Sequence, residues 1–168
     1  MDLIPVTYQP IGIIRSPYTD PIGMPVQSAG AAGVAGRIEL APGYAAGLRD
    51  IAGFSHLILL YHLHLVRGAA LEVTPFLDDQ PHGIFATRSP KRPNALGLSV
   101  VRLTGTGADW LDIADVDVVD GTPLLDIKPY VPAFDSRATD RIGWFAKNVG
   151  RVGAIRADDR FAQHYLNI

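Results

Sequence analysis

The sequence predicts a mainly β fold, either a barrel or a sandwich. Three observations favour it: a length of 168 residues, short apolar segments at nearly regular spacing, and turn residues between those segments. Gly and Pro contribute 17 and 13 residues, so turns are abundant. The hydrophobic fraction of 48% and the charged fraction of 19% exclude a disordered chain. A mixed α/β sheet is the alternative, but helical segments are too few to cover two sheet faces.

Eight segments have the pattern of a strand, because each is apolar or alternating and is bounded by turn residues. The most hydrophobic of them, 54–66, predicts a buried central strand once a bend is allowed. A loop rich in Gly and Pro is expected over 21–36 and one short helix over 42–51. The predicted strands cover residues 9–15, 37–40, 54–66, 71–74, 83–87, 98–103, 110–119 and 124–127.

The C-terminal part has a different pattern. Residues 139–147 and 158–166 are typical of helices. We therefore expect one domain over 1–168, with a β core over roughly 9–135 and a helical tail over 136–168.

Composition excludes several function classes. The net charge is −2, from 15 basic and 17 acidic residues, so any nucleic-acid contact must come from a local basic patch. The absence of Cys excludes disulfides, thiolate metal sites and a Cys nucleophile. No Walker A motif, dinucleotide-binding glycine motif or Gly-x-Ser-x-Gly elbow occurs. The N-terminus has no signal-peptide pattern, and the longest apolar run, 57–66, is too short to span a bilayer. We expect a soluble cytoplasmic protein.

Three histidines lie in the most hydrophobic segment. His56, His62 and His64 would share one face of a continuous strand, and a His-x-His strand is one way to present metal ligands. The next carboxylate, Glu72, is eight residues away, which is too far for that pattern. We therefore favour pocket or core histidines, and no metal.

A basic loop interrupts this acidic chain. Arg88, Lys91 and Arg92 supply three positive charges within five residues, and Pro90 and Pro93 stiffen the loop. A rigid loop with such donors suits a carboxylate or a phosphate. A solvated hairpin loop is the alternative.

Acidic side chains cluster just before the last predicted strand. Four of them lie within nine residues, and alternation would place Asp115 and Asp117 on one face. They indicate either an exposed strand face or a pocket wall that binds a cation. The four are Asp112, Asp115, Asp117 and Asp120.

The last strand ends in Lys128 and Tyr130 between two prolines. A Tyr ring stacks on bases and a Lys contacts phosphates in nucleic-acid-binding proteins. The alternative is that Tyr130 caps the core.

Several of these motifs together resemble a known family, the TrmO/TsaA-like (YaeB-like) tRNA methyltransferases. The resemblance spans roughly residues 9–135 and implies a small antiparallel β-barrel that binds S-adenosylmethionine without a Rossmann fold. It also implies a homodimer with the cofactor near the subunit interface. The implied activity is methylation of N6 of threonylcarbamoyladenosine beside the anticodon of a tRNA. The matching motifs lie at 11–18, 25–27, 53–57, 82–90, 92–94, 117–123 and 126–130.

The resemblance also implies roles for individual residues. It gives cofactor-binding roles to Pro25, Val26, Gln27, His64, Leu65, Arg88, Leu98, Asp115, Val116 and Asp117. It places on the acceptor side Arg92, Asn94, Lys128 and Tyr130. Among these residues and their neighbours, the candidates for a proton acceptor or orienting group are Asp117, Asp120 and Tyr130.

The chain departs from the family pattern in two places. Leu65 stands where the family often has Gln, and some members carry a further C-terminal domain. The alternatives are a methyltransferase for a small molecule or a protein, a non-catalytic S-adenosylmethionine-binding module, and a metal enzyme built on the histidine segment.

Overall fold

Six antiparallel strands close into a barrel in the computed structural model, which describes residues 3–161. The strands are β1 (Gly12–Arg15), β2 (Ala35–Leu40), β3 (His56–His62), β6 (Leu96–Thr106), β7 (Trp110–Ala114) and β8 (Thr122–Pro129). Their spatial order is β1-β2-β7-β6-β3-β8. The barrel prediction is therefore confirmed over the sandwich and the α/β sheet.

Two shorter strands and one short helix complete the regular structure. The strands β4 (Glu72–Val73) and β5 (His82–Gly83) pair in a separate two-stranded sheet. Helix α1 is a single turn, Pro132–Asp135. Short 3-10 turns occur at Ser28–Gly30, Ala45–Leu48, Ile51–Gly53, Ile84–Ala86, Gly143–Lys147, Val149–Arg151 and Asp159–Phe161.

Strand alternation fills the barrel. On β3 the side chains of Leu57, Leu59 and Tyr61 are buried, while the even-numbered residues point outward. Complete burial of one such aliphatic side chain stabilises the fold by about 1.5–3 kcal/mol. The core side chains are Ile14, Ile38, Leu57, Leu59, Tyr61, Val101, Leu111, Ile113, Val116, Val118 and Leu124.

A β-bulge lies where β3 meets the start of β8. Leu60 pairs with Asp126 and Tyr61 with Leu124, so β8 contains one extra residue at this point. A bulge bends the strand and changes the direction of nearby side chains. This bulge is beside Tyr61, at the end of the barrel that carries the candidate site.

The predicted strand over 110–119 is wrong beyond Ala114. The backbone of Asp115 has φ 69°, which is in the left-handed region, so the extended conformation ends there. The Asp115 carboxylate accepts a hydrogen bond from the Gly33 N–H at 2.7 Å, and this contact fixes the turn. The following residues leave the sheet, so Asp115 and Asp117 are not neighbours on one strand face.

Other local predictions also change. The expected helix over 42–51 is two 3-10 turns, because Gly43 and Asp50 adopt positive φ. The expected strand over 83–87 is mostly the 3-10 turn Ile84–Ala86. The central strand is shorter than 54–66 and ends at His62.

The C-terminal segment forms short 3-10 turns where α-helices were predicted. Gly143, Gly150 and Gly153 interrupt it, and Gly143 adopts positive φ, which a continuous helix does not tolerate. Residues 162–166 of the second predicted helix lie outside the described residues.

Candidate active site

A cavity of about 420 Å³ lies at the end of the barrel where β3 finishes and β6 and β8 begin. This volume is in the range of small-molecule binding sites. Its walls come from the barrel end, from the loops around residues 25 and 88, and from the C-terminal segment.

Most of the cofactor-binding residues implied by the resemblance line this cavity, although they come from distant parts of the sequence. Eight of them are Pro25, Val26, Gln27, His64, Leu65, Arg88, Leu98 and Asp117. One of the residues placed on the acceptor side, Arg92, also lines it.

Six of the site residues implied by the resemblance do not line the cavity. They are Asp115, Val116, Asp120, Asn94, Lys128 and Tyr130. Asp115 turns away to bind Gly33, and Val116 is fully buried in the barrel core. Asp120 accepts from the Ser16 N–H at 3.0 Å and lies 3.6 Å from Arg15. Asn94 is in the turn before β6, outside the lining.

Lys128 and Tyr130 lie at the other end of β3. The Tyr130 N–H donates to the His56 carbonyl at 3.1 Å, and the two rings meet edge to face. Lys128 forms an ion pair with Asp126 at 2.6 Å. Because Tyr61 at the opposite end of β3 lines the cavity, these two side chains are remote from it.

Two arginines of the basic loop have different surroundings. The Arg88 guanidinium donates to Gln27 Oε1 at 2.8 Å. Since this partner is a neutral amide, the charge of Arg88 remains available for a ligand anion. Arg92 donates instead to the Thr87 and Ile84 carbonyls at 2.9 and 3.2 Å, so it holds the loop in shape.

Asp117 is held by a buried hydrogen-bond relay. The Ser99 hydroxyl donates to Asp117 Oδ1 at 2.6 Å, and the Tyr61 hydroxyl lies 2.9 Å from Ser99 Oγ. Because Ser99 donates its proton to the carboxylate, Tyr61 is the donor to Ser99. The relay orients the Asp117 carboxylate at the border of the cavity.

Burial is the main influence on the pKa of Asp117. It raises the pKa of Asp117, while the Ser99 hydrogen bond and the Arg88 charge act in the opposite direction. Burial also raises the pKa of Tyr61, and the nearby Asp117 charge adds to that effect. Tyr61 therefore stays protonated and serves as a donor at neutral pH.

His64 faces the cavity just beyond the end of β3. Its Nδ1 lies 3.3 Å from Thr122 Oγ1, and that hydroxyl already donates to the Val119 carbonyl. The His64 Nδ1–H is therefore the donor to Thr122, and Nε2 carries the free lone pair. Burial, together with the charges of His62 and Arg67, lowers the pKa of His64 and favours this neutral form.

The three histidines do not form a cluster. His56 and His62 are on the outer face of β3, whereas His64 lies past the strand end and turns to the cavity. Among residues 3–161, no group of three or more His, Asp or Glu side chains is positioned to hold a metal ion.

Sequence reasoning missed two groups of residues at the site. In the first group, Tyr61 lines the cavity and Ser99 binds the lining residue Asp117. Tyr61 and Ser99 are polar residues at inward-facing strand positions, and this parity was a usable signal. The other group is aromatic, Trp144, Phe145 and Phe161, and belongs to the segment that was predicted as a helical tail. The sequence left open whether this segment closes the cavity, packs elsewhere on the barrel or contacts a partner.

The family follows from comparison with known proteins. Residues 13–136 match the family model described as the tRNA-methyltransferase O N-terminal domain. The chain belongs to this family. The resemblance drawn from the motifs is therefore confirmed.

Relatives and solved structures agree with this assignment. The chain is 50% identical to a Pyrococcus abyssi protein named "Probable S-adenosyl-L-methionine-binding protein", over 93% of this chain and 85% of that protein. It is 36% identical to the Escherichia coli tRNA (adenine(37)-N6)-methyltransferase, over 77% of this chain and 59% of that enzyme. The crystal structure of TrmO from Pseudomonas aeruginosa superposes with a TM-score of 0.71 at 37% identity.

The coverage of these proteins is uneven. The superposition covers 84% of this chain and 63% of the Pseudomonas aeruginosa chain. The chain therefore spans about three fifths of the length of the two methyltransferases, but most of the length of the archaeal relative. Within residues 3–161, no helix has the length and apolar character needed to cross a membrane.

Proposed function

We propose that this protein is an S-adenosylmethionine-dependent methyltransferase that modifies N6 of threonylcarbamoyladenosine beside the anticodon of a tRNA. Family membership and the names of the relatives support the reaction class. The observation that carries the proposal is the convergence of Arg88, Gln27 and Asp117 on one cavity of ligand size. Action on tRNA would place the protein in the cytoplasm.

The lining fits the charges of S-adenosylmethionine. Arg88 would bind the carboxylate of the methionine part, and Asp117 would bind its ammonium or sulfonium group. The Ser89 hydroxyl is buried in the lining and has no hydrogen-bond partner among the described residues, so a ligand would satisfy it. Apolar contacts would come from Pro25, Val26, Leu65 and Leu98.

When bound, S-adenosylmethionine supplies an electrophilic methyl group. The cavity walls would exclude water and fix the approach of the acceptor nitrogen, and such positioning supplies up to ~7–11 kcal/mol in well-oriented model reactions. Two lining groups are able to accept the proton of that nitrogen: the Asp117 carboxylate and Nε2 of neutral His64. Asp120 and Tyr130 lie outside the lining and would act only on a substrate that extends beyond the cavity, as a tRNA does.

A homodimer would place a second copy beside the cavity. The outer face of β3 and β6 carries apolar side chains in adjacent rows, and Leu96 and Leu98 are 45% and 53% exposed. Both leucines also line the cavity, so a partner on this face would border the ligand. The rows consist of Ile58, Leu60, Leu96, Leu98 and Val100. Sedimentation analysis of the wild type and L60K tests the proposed dimer. The wild type should sediment as a dimer and L60K as a monomer.

Calorimetry with S-adenosylhomocysteine, the demethylated product, tests the cofactor site. Loss of a charge-assisted hydrogen bond costs about 1.5–3 kcal/mol, so Arg88→Ala should raise Kd roughly tenfold to a hundredfold. The matched control is Arg102→Ala, because Arg102 is on the outside of β6 and does not line the cavity. Equal Kd values for the wild type and Arg88→Ala would refute the role of Arg88.

Transfer of a labelled methyl group tests the acceptor. We expect methylation of tRNA that carries threonylcarbamoyladenosine and none of tRNA that lacks it. Methylation of a small molecule but not of tRNA would favour the small-molecule alternative. Tight binding of the cofactor with no transfer to either acceptor would favour a binding module.

A further inference from the structure

The C-terminal segment 143–161 forms one wall of the cavity. It contributes the lining residues Trp144, Phe145, Ala157, Asp158 and Phe161. The family model ends at residue 136, so this wall lies outside the matched domain. The cavity of this chain is therefore built partly from residues that the family assignment does not cover.

Specific contacts hold this wall against the barrel. The Gly23 N–H donates to the Ala157 carbonyl at 2.7 Å, and the Ala157 N–H donates to the Met24 carbonyl at 2.8 Å. Next to these two bonds, Pro25 and Arg156 form an antiparallel β-bridge. The wall is thus attached to the same loop that positions Gln27.

Side chains at both ends of the segment add further contacts. The Trp144 indole N–H donates to the Ala86 carbonyl at 2.8 Å. The Arg160 guanidinium donates to the Pro75 carbonyl at 2.7 Å. Ala86 precedes the basic loop. The two hydrogen bonds therefore fix the segment at two separate places around the cavity.

Aromatic rings dominate this wall. Trp144 stacks on Phe145 with centroids 3.9 Å apart, and His82 stacks on Trp144 at 4.5 Å. Phe161 packs edge to face on Phe76 at 4.9 Å. The charged lining groups Arg88 and Asp117, by contrast, come from the family-matched region.

We propose that this aromatic wall is the purine subsite of the cavity, with Phe145 and Trp144 contacting the adenine ring of a bound nucleoside. The inference rests on the proposed function and adds a ligand-binding role for residues beyond the matched domain. A purine is planar and apolar on its faces, so aromatic side chains bind it through stacking and dispersion. Arg88 and Asp117 then bind the charged amino-acid part.

Ligand fragments separate the two parts of the site. Methylthioadenosine carries the purine and lacks the amino-acid part, whereas S-adenosylhomocysteine carries both. Phe145→Ala should raise Kd for both nucleosides roughly fivefold to a hundredfold, and Phe145→Leu, which keeps apolar bulk, roughly twofold to tenfold. Arg88→Ala should weaken S-adenosylhomocysteine and leave methylthioadenosine unchanged.

The test includes one control variant and one fluorescence reporter. Phe134→Leu makes the same change at a ring that is 59% exposed in α1 and outside the lining, so its Kd values should match the wild type. The sequence has two Trp residues, so Trp110→Phe leaves Trp144 as the sole indole reporter. Both nucleosides should quench its fluorescence.

The outcomes distinguish the two proposals. If the wild type binds neither nucleoside, the proposed function is wrong and the purine subsite is wrong with it. If the wild type binds both nucleosides, and Phe145→Ala and Phe145→Leu bind them with the same Kd as the wild type, only the purine subsite is wrong. If Phe145→Ala does not fold, Phe145→Leu decides, because a Kd equal to the wild-type value overturns the subsite.

Discussion

Replacement of Ser99 by Ala tests the buried relay that orients Asp117. Ser99 is 2% exposed and joins two groups, at 2.9 Å to Tyr61 and 2.6 Å to Asp117. The substitution removes both hydrogen bonds and leaves a buried Tyr hydroxyl without its partner.

The magnitude follows from these two losses. An unsatisfied buried hydroxyl costs about 1–3 kcal/mol, and a hydrogen bond to a charged group is worth about 1.5–3 kcal/mol. Asp117 borders the cavity, where water replaces part of the lost contact, so the total falls below the sum. We expect Ser99→Ala to lower the free energy of unfolding by about 2–4 kcal/mol.

Tyr61→Phe should cost less. It removes one neutral hydrogen bond, worth about 0.5–1.5 kcal/mol, and leaves the Ser99 to Asp117 contact in place. The double variant should lose less than the sum of the two single variants, because it no longer contains an unpaired Tyr hydroxyl.

Urea unfolding followed by circular dichroism measures these differences, provided that the m-value is unchanged. Ser136→Ala is the matched control, because Ser136 is exposed and its side chain forms no hydrogen bond with any of residues 3–161. It should change stability by less than about 0.5 kcal/mol. A Ser99→Ala stability within that same range would refute the relay. Strict additivity in the double variant would refute the coupling.

The remaining predictions concern Asp117 and Gly97. Burial raises the pKa of Asp117 in the folded state, so the wild type loses stability as pH rises from about 4 through that folded pKa. Asp117→Asn should therefore gain stability relative to the wild type over this range, although it loses cofactor affinity; urea midpoints between pH 4 and 8 measure the gain, and a constant difference would contradict it. Gly97→Ala should cost about 1–3 kcal/mol, because a Cβ there would overlap the buried Tyr61 ring. Gly47→Ala is its control, since no atom of the described residues 3–161 lies within 4 Å of a Cβ at that position. Equal urea midpoints for the two variants would show that the Tyr61 ring moves aside without a cost in stability.

The sequence by itself predicted the β architecture, and eight of the ten cofactor-binding residues that it implied line the cavity. Alternation and turn residues predict strands because strand side chains alternate between a buried and an exposed face. The family resemblance implied cofactor-binding roles for Gln27, His64 and Arg88, and all three line the cavity. Strand alternation and sequence motifs depend on residues that are close together in the chain, so they are visible in the sequence alone.

Tertiary structure decided the features that depend on distant contacts. Asp115 leaves the extended conformation because its carboxylate binds Gly33, 82 residues away in sequence, and this turn separates it from Asp117. Ser99 became the partner of Asp117 and Tyr61 only when barrel closure brought their strands and loop together. The aromatic wall of residues 143–161 likewise depends on backbone bonds to Gly23 and Met24. Periodicity reports which face of a strand is buried, but only the closed barrel determines which buried groups meet.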